Sequence, residues 1–151
     1  MILWRISNHQ DLSGLAGERS DGRWHTAARG KRIVYLTEHP AVALVETLVH
    51  LRGNPALFPK RYQLLKIVVV DTVRAMEFSA DTAAVELRET QAIGDAWLAA
   101  GESALLRVPS VPSPESWNYL LNPMHKDATG LTVEWARSIA YDKRLFRMKG
   151  I

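Results

Sequence analysis

The sequence has 151 residues, 47% hydrophobic and 23% charged, which is typical of a globular protein and predicts one folded domain over 1–151. It contains no cysteine, so disulfide frameworks, thiolate nucleophiles and cysteine-based metal sites are excluded, and the reducing cytoplasm is the expected location. An early charge at Arg5 and the lack of a long apolar run argue against a secretory signal and a membrane span. The net charge of +3 is modest, and no direct contact with nucleic acid is expected. The basic residues between Arg19 and Arg32 either meet a phosphate-bearing ligand or form a solvated loop.

Hydrophobic patterning then predicts the secondary structure in chain order. Strands are predicted over 3–7, 32–37, 63–70, 73–78, 104–108 and 131–139, and helices over 40–51 and 86–100. The segment 73–78 is expected to return beside 63–70, the strongest strand of the sequence. Together these elements predict an α+β fold with a central mixed or antiparallel sheet flanked by helices.

The helix predicted over 40–51 carries the most informative polar residue. Its sequence is apolar on both sides, a pattern typical of a helix buried between layers. Glu46 lies within this pattern, where an ionised carboxylate loses hydration and needs a polar partner. Arginine is the expected partner type, with Arg5 and Arg23 as candidates. The alternative is a partly exposed glutamate at the helix edge, paired with a surface lysine or arginine.

Several other residues have two interpretations each. Tyr35, at the centre of the second strand, is either a stacking platform or a core residue. Ser110, Ser113 and the segment 118–122 either contribute polar contacts or are simple turn residues. Trp117 is either an anchor for a partner protein or a core aromatic.

Standard catalytic signatures are missing from the sequence. It has no nucleophile elbow, P-loop or zinc-binding helix motif, and its glycines lack the spacing of a dinucleotide fingerprint. The five histidines do not pair at metal-ligand spacing, so no metal site is expected. Each histidine is expected to be solvated or to cap a turn or helix.

Four short motifs nevertheless occur in a fixed order along the chain. They are D-G-R-W-H at 21–25, V-Y-L-T-E-H-P-A-V-A-L-V-E at 34–46, R-V-P-S at 107–110 and N-Y-L-L-N-P-M-H at 118–125. With W-R-I at 4–6 and Y-D-K-R-L at 141–145, the ordered set covers nearly the whole chain, which resembles the RES domain family. No single motif decides the resemblance; their order does.

The resemblance implies a toxin of a bacterial type II toxin–antitoxin pair, with a fold similar to that of the ADP-ribosyltransferase toxins. It implies NAD as substrate, no metal, and a cognate antitoxin with an Xre-like DNA-binding region as partner. By position, the arginine, glutamate and serine that name the family look like Arg23, Glu46 and Ser110, with Ser113 a less favoured substitute for Ser110. Two further residues, Arg5 and Tyr35, match positions that line the NAD pocket.

Two residues depart from the family pattern. Relatives often carry glycine before G-R-W and asparagine after it, where this chain has Asp21 and His25. Since Asp21 lowers the local positive potential near a bound phosphate, we interpret the departures as tuning of the pocket rim rather than loss of activity.

The implied residues fit cleavage of the nicotinamide–ribose bond of NAD, leading to growth arrest. The ribose becomes oxocarbenium-like as nicotinamide leaves, and a buried Glu46 would stabilise that positive charge. Arg5 and Arg23 are expected to bind the pyrophosphate, Tyr35 to stack on nicotinamide, and Ser110 to orient a ribose or amide group.

The acceptor of the ADP-ribosyl group is open between water, phosphate and a protein side chain, with NAD degradation favoured over protein modification. The rival functions are a non-catalytic module that binds nucleic acid or protein, and a sugar-nucleotide hydrolase on an unrelated fold. A homodimer is the default oligomer.

Overall fold

The computed structural model describes residues 1–51, 54–57, 59–80 and 85–146. These contain the strands β1 (Ile2–Ile6), β2 (Val34–Thr37), β3 (Arg61–Val69), β4 (Ala75–Glu77), β5 (Leu105–Pro109), β6 (Trp117–Leu121) and β7 (Leu131–Ala140), and the helices α1 (Pro40–His50) and α2 (Leu87–Ala100). The prediction of one domain over 1–151 includes 52–53, 58, 81–84 and 147–151, which lie outside the described residues. Within the described ranges neither helix is long and apolar enough to cross a membrane.

The strands form one seven-stranded sheet in the order β4-β5-β6-β2-β1-β3-β7. Every neighbouring pair is antiparallel except β4 and β5, which are parallel. Because parallel neighbours need a long crossover connection, α2 lies between β4 and β5 in the chain. The predicted α+β class with a mixed sheet and flanking helices is therefore confirmed.

The predicted place of the fourth strand is wrong. The segment 73–78 was expected beside β3, but Ala75–Glu77 pairs with β5 at the far edge of the sheet. The physical reason is that β3 already has β1 on one side and β7 on the other, so neither of its edges can accept another strand. Strand β6, where no strand was predicted, fills the position between β5 and β2.

Two groups of buried side chains pack against the sheet. One contains Leu3, Val34, Leu36, Leu65, Ile67, Val69, Leu105, Leu121 and Leu131, and the other contains Trp24, Ile33, Trp97, Leu106, Val108 and Leu120. Neighbouring residues such as Leu105 and Leu106 fall in different groups, since side chains alternate between the faces of a strand. Trp97 comes from α2, which therefore packs on the second face together with the loop that carries Trp24.

Helix α1 begins as predicted at Pro40, whose missing N–H costs nothing at this position. The side chain of His39 caps the helix by accepting from the backbone N–H of Ala41. The predicted burial on both sides is wrong, because Val42 and Ala43 are the buried residues of the helix, whereas Ala41 and Val49 are exposed. Helix α1 packs on β1 and β2 through one face, and this orientation leaves Glu46 beside the sheet.

Candidate active site

A cavity of about 550 Å³ opens between β1, β2, α1 and the loop before β2. Four residues predicted from the sequence contribute to its wall: Arg5, Arg23, Tyr35 and Glu46. A smaller cavity of about 300 Å³ shares Arg5 with it. The fold therefore brings together side chains that are far apart in the chain, on one concave surface.

Glu46 is held by two hydrogen bonds to the same carboxylate oxygen. Oε1 of Glu46 accepts from Oγ of Ser110 at 2.7 Å and from Nδ2 of Asn118 at 2.6 Å. The partners are a hydroxyl and an amide, so the expectation of an arginine partner is wrong. Oε2 accepts no hydrogen bond from the described residues and is not among the buried unpaired atoms. Glu46 itself lines the cavity.

Ser110 lies behind Glu46 rather than in the cavity wall. It follows β5, is 4% exposed and does not line the cavity. Ser113, the less favoured serine, donates its backbone N–H to Oγ of Ser110 at 3.3 Å and pairs its own hydroxyl with Ser116 at 3.0 Å. The geometry thus connects Ser110, not Ser113, to the carboxylate.

Arg5 supplies positive charge to the wall between the two cavities. Its Nη1 donates to the backbone oxygen of Asp11 at 3.2 Å. Burial lowers the pKa of the Arg5 guanidinium, and the nearby charge of Asp11 opposes that shift. An arginine remains protonated throughout the physiological range, so a cation faces the cavity at all relevant pH values.

Arg23 lies in a loop that helix α2 holds from behind. The hydroxyl of Thr90 donates to the backbone oxygen of Arg23 at 2.6 Å, and Nε2 of Gln91 donates to that of Gly22 at 3.0 Å. The guanidinium group itself donates from Nη2 to the backbone oxygen of Val85 at 3.2 Å. The loop is thus placed by its backbone, while the end of the Arg23 side chain contacts the segment before α2.

One turn further along α2, Asp95 and Gly94 make further contacts with the same loop. The carboxylate of Asp95 accepts from the backbone N–H of Thr26 at 3.0 Å and from its hydroxyl at 2.6 Å, and pairs with Lys31 at 3.0 Å. A side chain at Gly94 would overlap the carbonyl oxygen of Trp24. Glycine is therefore required where the helix and the loop touch.

Tyr35 places its ring in the cavity wall and its hydroxyl against the loop. The hydroxyl oxygen accepts from the backbone N–H of Trp24 at 3.0 Å and lies 2.8 Å from Nδ1 of His25. Burial raises the pKa of Tyr35, so its hydroxyl keeps its proton at neutral pH. Tyr35 thus borders both the cavity and the second core group.

Residues 2–144 match the family model of the RES domain. The chain belongs to the RES domain family. Toxin Res of Pseudomonas putida is 41% identical over 150 residues, covering 97% of this chain and 100% of the relative. The Prs ADP-ribosylating toxin of a Sphingobium species is 35% identical over 158 residues, covering 95% and 96%. The resemblance read from the ordered motifs is confirmed, and it places the chain among RES-domain toxins.

The fold of this RES domain has also been seen in a solved structure. The crystal structure of the M. tuberculosis MbcT–MbcA toxin–antitoxin complex matches it with a TM-score of 0.73. The match has 17% sequence identity and covers 92% of this chain and 84% of that chain. At this identity the likeness concerns the fold alone.

Two residues of the RES domain site have roles in the structure that the sequence analysis did not predict. Asn118 was grouped with turn residues, yet it lies on β6, opposite Thr37 of β2 and Val108 of β5. His25 was expected to be solvated or a cap, which is wrong because it is 2% exposed. Its place within the G-R-W-H motif was the one available signal. His39 and His125 do cap, each accepting from a backbone N–H two residues on.

The described residues of the RES domain contain no group of three or more His, Cys, Asp or Glu side chains that could hold a metal ion. The charged groups in the cavity wall are instead two carboxylates, Asp21 and Glu46, and two arginines, Arg5 and Arg23, beside histidine, hydroxyl and amide side chains. Such a set suits an organic ligand with anionic groups and hydroxyls.

Proposed function

We propose that this RES domain is the toxin of a toxin–antitoxin pair and acts in the cytoplasm by binding NAD and cleaving its nicotinamide–ribose bond. The observation that carries the proposal is Glu46, with one carboxylate oxygen held by Ser110 and Asn118 and the other open to the cavity. The Sphingobium relative is named an ADP-ribosylating toxin, and ADP-ribosyl transfer uses the bond proposed here.

Glu46 would act by charge on the reacting sugar. As nicotinamide departs, positive charge develops on the ribose, and a carboxylate already oriented toward it stabilises the transition state without reorganisation. Ser110 and Asn118 both donate to the carboxylate, an arrangement that complements its negative charge. Ser110 would therefore be a positioning residue that acts through Glu46.

The remaining wall residues provide places for the other parts of NAD. Arg5 borders both cavities and uses one of its donors on Asp11, so its other donors can contact the pyrophosphate that joins the two nucleotides. Tyr35 has a ring at the cavity, suitable for stacking on nicotinamide. Arg23 is proposed as a second phosphate contact, made from a loop that α2 holds in place.

The test is NAD consumption by purified protein, with products separated by chromatography. Glu46→Gln keeps the size of the side chain but removes its charge, and we expect turnover to fall at least about 100-fold. Glu89→Gln, at an exposed position on α2, is the matched control and keeps wild-type turnover. Equal turnover by wild type and Glu46→Gln would refute the proposed role of the carboxylate.

Running the same assay with and without inorganic phosphate identifies the acceptor. Free ADP-ribose indicates water, and a phosphorylated ADP-ribose that requires phosphate indicates phosphorolysis. The name of the Sphingobium relative favours a second candidate, ADP-ribosylation of a protein. Labelled protein after incubation of a cell extract with labelled NAD would support that candidate over NAD degradation.

A cognate antitoxin is proposed as partner, because the structural neighbour was solved as a toxin–antitoxin complex; the family resemblance implies that it is of the Xre-like kind. Induced expression of the chain should arrest growth, Glu46→Gln should not, and co-expression of the antitoxin should restore growth. The same purified sample tests the homodimer by its mass in solution. Growth arrest by Glu46→Gln at equal expression would contradict the proposed basis of toxicity.

A further inference from the structure

His25 is buried at the centre of a chain of hydrogen bonds that ends at the cavity. Its Nε2 lies 2.9 Å from the backbone oxygen of Gly17, and its Nδ1 lies 2.8 Å from the hydroxyl of Tyr35. The Tyr35 oxygen in turn lies 3.0 Å from the backbone nitrogen of Trp24. One imidazole therefore joins the loop before β2 to the aromatic ring in the cavity wall.

The direction of each hydrogen bond follows from the atoms involved. The oxygen of Gly17 is a carbonyl and can only accept, so Nε2 of His25 carries the hydrogen. In the neutral ring Nδ1 is then an acceptor, and the hydroxyl of Tyr35 must donate to it. The backbone N–H of Trp24 donates to the Tyr35 oxygen. Every polar atom of the His25 ring is thereby used.

Close packing leaves the Tyr35 hydroxyl little room to move. A side chain at Gly22 would overlap that hydroxyl and come within 2.8 Å of Nδ1 of His25. The backbone N–H of Gly22 also donates to the oxygen of His25 at 3.1 Å, closing the short turn that contains Arg23. The Tyr35 ring and the turn that contains Arg23 are consequently both held by contacts with His25 and Gly22.

We propose that His25 is a positioning residue for the dinucleotide: it fixes the Tyr35 ring, and with it the adjoining wall of the cavity, by accepting a hydrogen bond from the Tyr35 hydroxyl at Nδ1. The inference rests on the proposed function, since it takes NAD as the ligand that Tyr35 contacts. What it adds is that the two nitrogens of the imidazole have different roles. Nδ1 orients the ring that meets the ligand, and Nε2 fastens the loop through Gly17.

Two substitutions separate these tasks. The amide of asparagine reaches about as far as Nδ1 of histidine, so His25→Asn keeps an acceptor for Tyr35 and loses the contact to Gly17. The amide of glutamine reaches about as far as Nε2, so His25→Gln keeps a donor for Gly17 and loses the contact to Tyr35. If His25 served only to stabilise the loop, the contact to Gly17 would be the one that matters.

The experiment measures KM and kcat for NAD in both variants, in Tyr35→Phe and in the double variant His25→Gln/Tyr35→Phe. We expect His25→Gln to raise KM about tenfold, the effect of one lost hydrogen bond of about 1.4 kcal/mol, and Tyr35→Phe to raise it at least as much, because it also leaves the backbone N–H of Trp24 without its acceptor. The double variant should be no worse than Tyr35→Phe alone, because that substitution already removes the hydrogen bond to His25. His25→Asn should restore KM to within about threefold of wild type.

The outcomes separate the inference from the function beneath it. Wild-type protein that leaves NAD intact refutes the proposed function, and the NAD-positioning role of His25 falls with it. If the wild type consumes NAD but His25→Gln has an unchanged KM, only the inference is overturned. The same holds if KM rises equally in His25→Gln and His25→Asn. Additive effects in the double variant would also overturn it, because Tyr35 and His25 would then act independently.

Discussion

Ser110→Ala removes one of the two hydroxyl or amide donors that hold Glu46, without touching the cavity wall. A hydrogen bond to a charged group contributes about 1.5–3 kcal/mol. If that orientation is used in the transition state, kcat falls about 10- to 100-fold, since about 1.4 kcal/mol corresponds to a factor of ten. The bond from Asn118 at 2.6 Å remains, so activity is not abolished. KM should change little, because Ser110 does not reach the ligand.

Steady-state NAD turnover of Ser110→Ala and Ser113→Ala tests this reasoning. Ser113→Ala is a matched control: it removes the same hydroxyl group three residues along, where the hydroxyl pairs with Ser116 and not with Glu46. We expect Ser113→Ala to stay within about twofold of wild type, since it loses an exchangeable neutral hydrogen bond. A larger loss of kcat in Ser113→Ala than in Ser110→Ala would refute the assignment, as would a loss in Ser110→Ala confined to KM.

Three further predictions concern the loop and the cation. Gly94→Ala should lower the free energy of unfolding by about 2 kcal/mol or more in urea titrations, because the added methyl group overlaps the Trp24 carbonyl; at an exposed helical position the same change would stabilise, and stabilisation here would contradict the packing. Burial tends to raise the pKa of Asp95, but hydrogen bonds from Thr26 and Lys31 outweigh it and hold the pKa below the ordinary value of 3.8. Asp95 therefore stabilises the fold above about pH 3.8, and this stabilisation is lost as the pH falls through the lowered pKa. The difference in the free energy of unfolding between wild type and Asp95→Asn should therefore shrink toward acid pH, and a difference that stays constant between pH 7 and pH 3 would contradict this. Arg5→Lys should raise KM for NAD about tenfold because lysine lacks the planar fork of donors, and an unchanged KM would exclude a pyrophosphate contact at Arg5.

Local sequence patterns were sufficient for most of the regular structure. The β-branched run of β3 and the proline at the start of α1 each specify an element through the conformations of a few neighbouring residues. Glu46 could be singled out in the same way, because a carboxylate within an apolar helix needs a polar partner wherever the helix packs. The family could also be recognised from the order of the motifs, because motif order is read from the sequence without knowledge of contacts.

The polar partners of Glu46 could be identified only from the tertiary structure. Ser110 and Asn118 are 64 and 72 residues from Glu46 in the chain, and only the pairing of β6 with β2 on one side and with β5 on the other brings them beneath α1. The place of β4 had the same origin, since the edges of β3 were already occupied. His25 became a buried link for the same reason: its environment is made by Gly17 and Tyr35, which meet only in the folded chain. Periodicity in a sequence reports which side of an element is apolar, whereas long-range register decides which polar groups face one another.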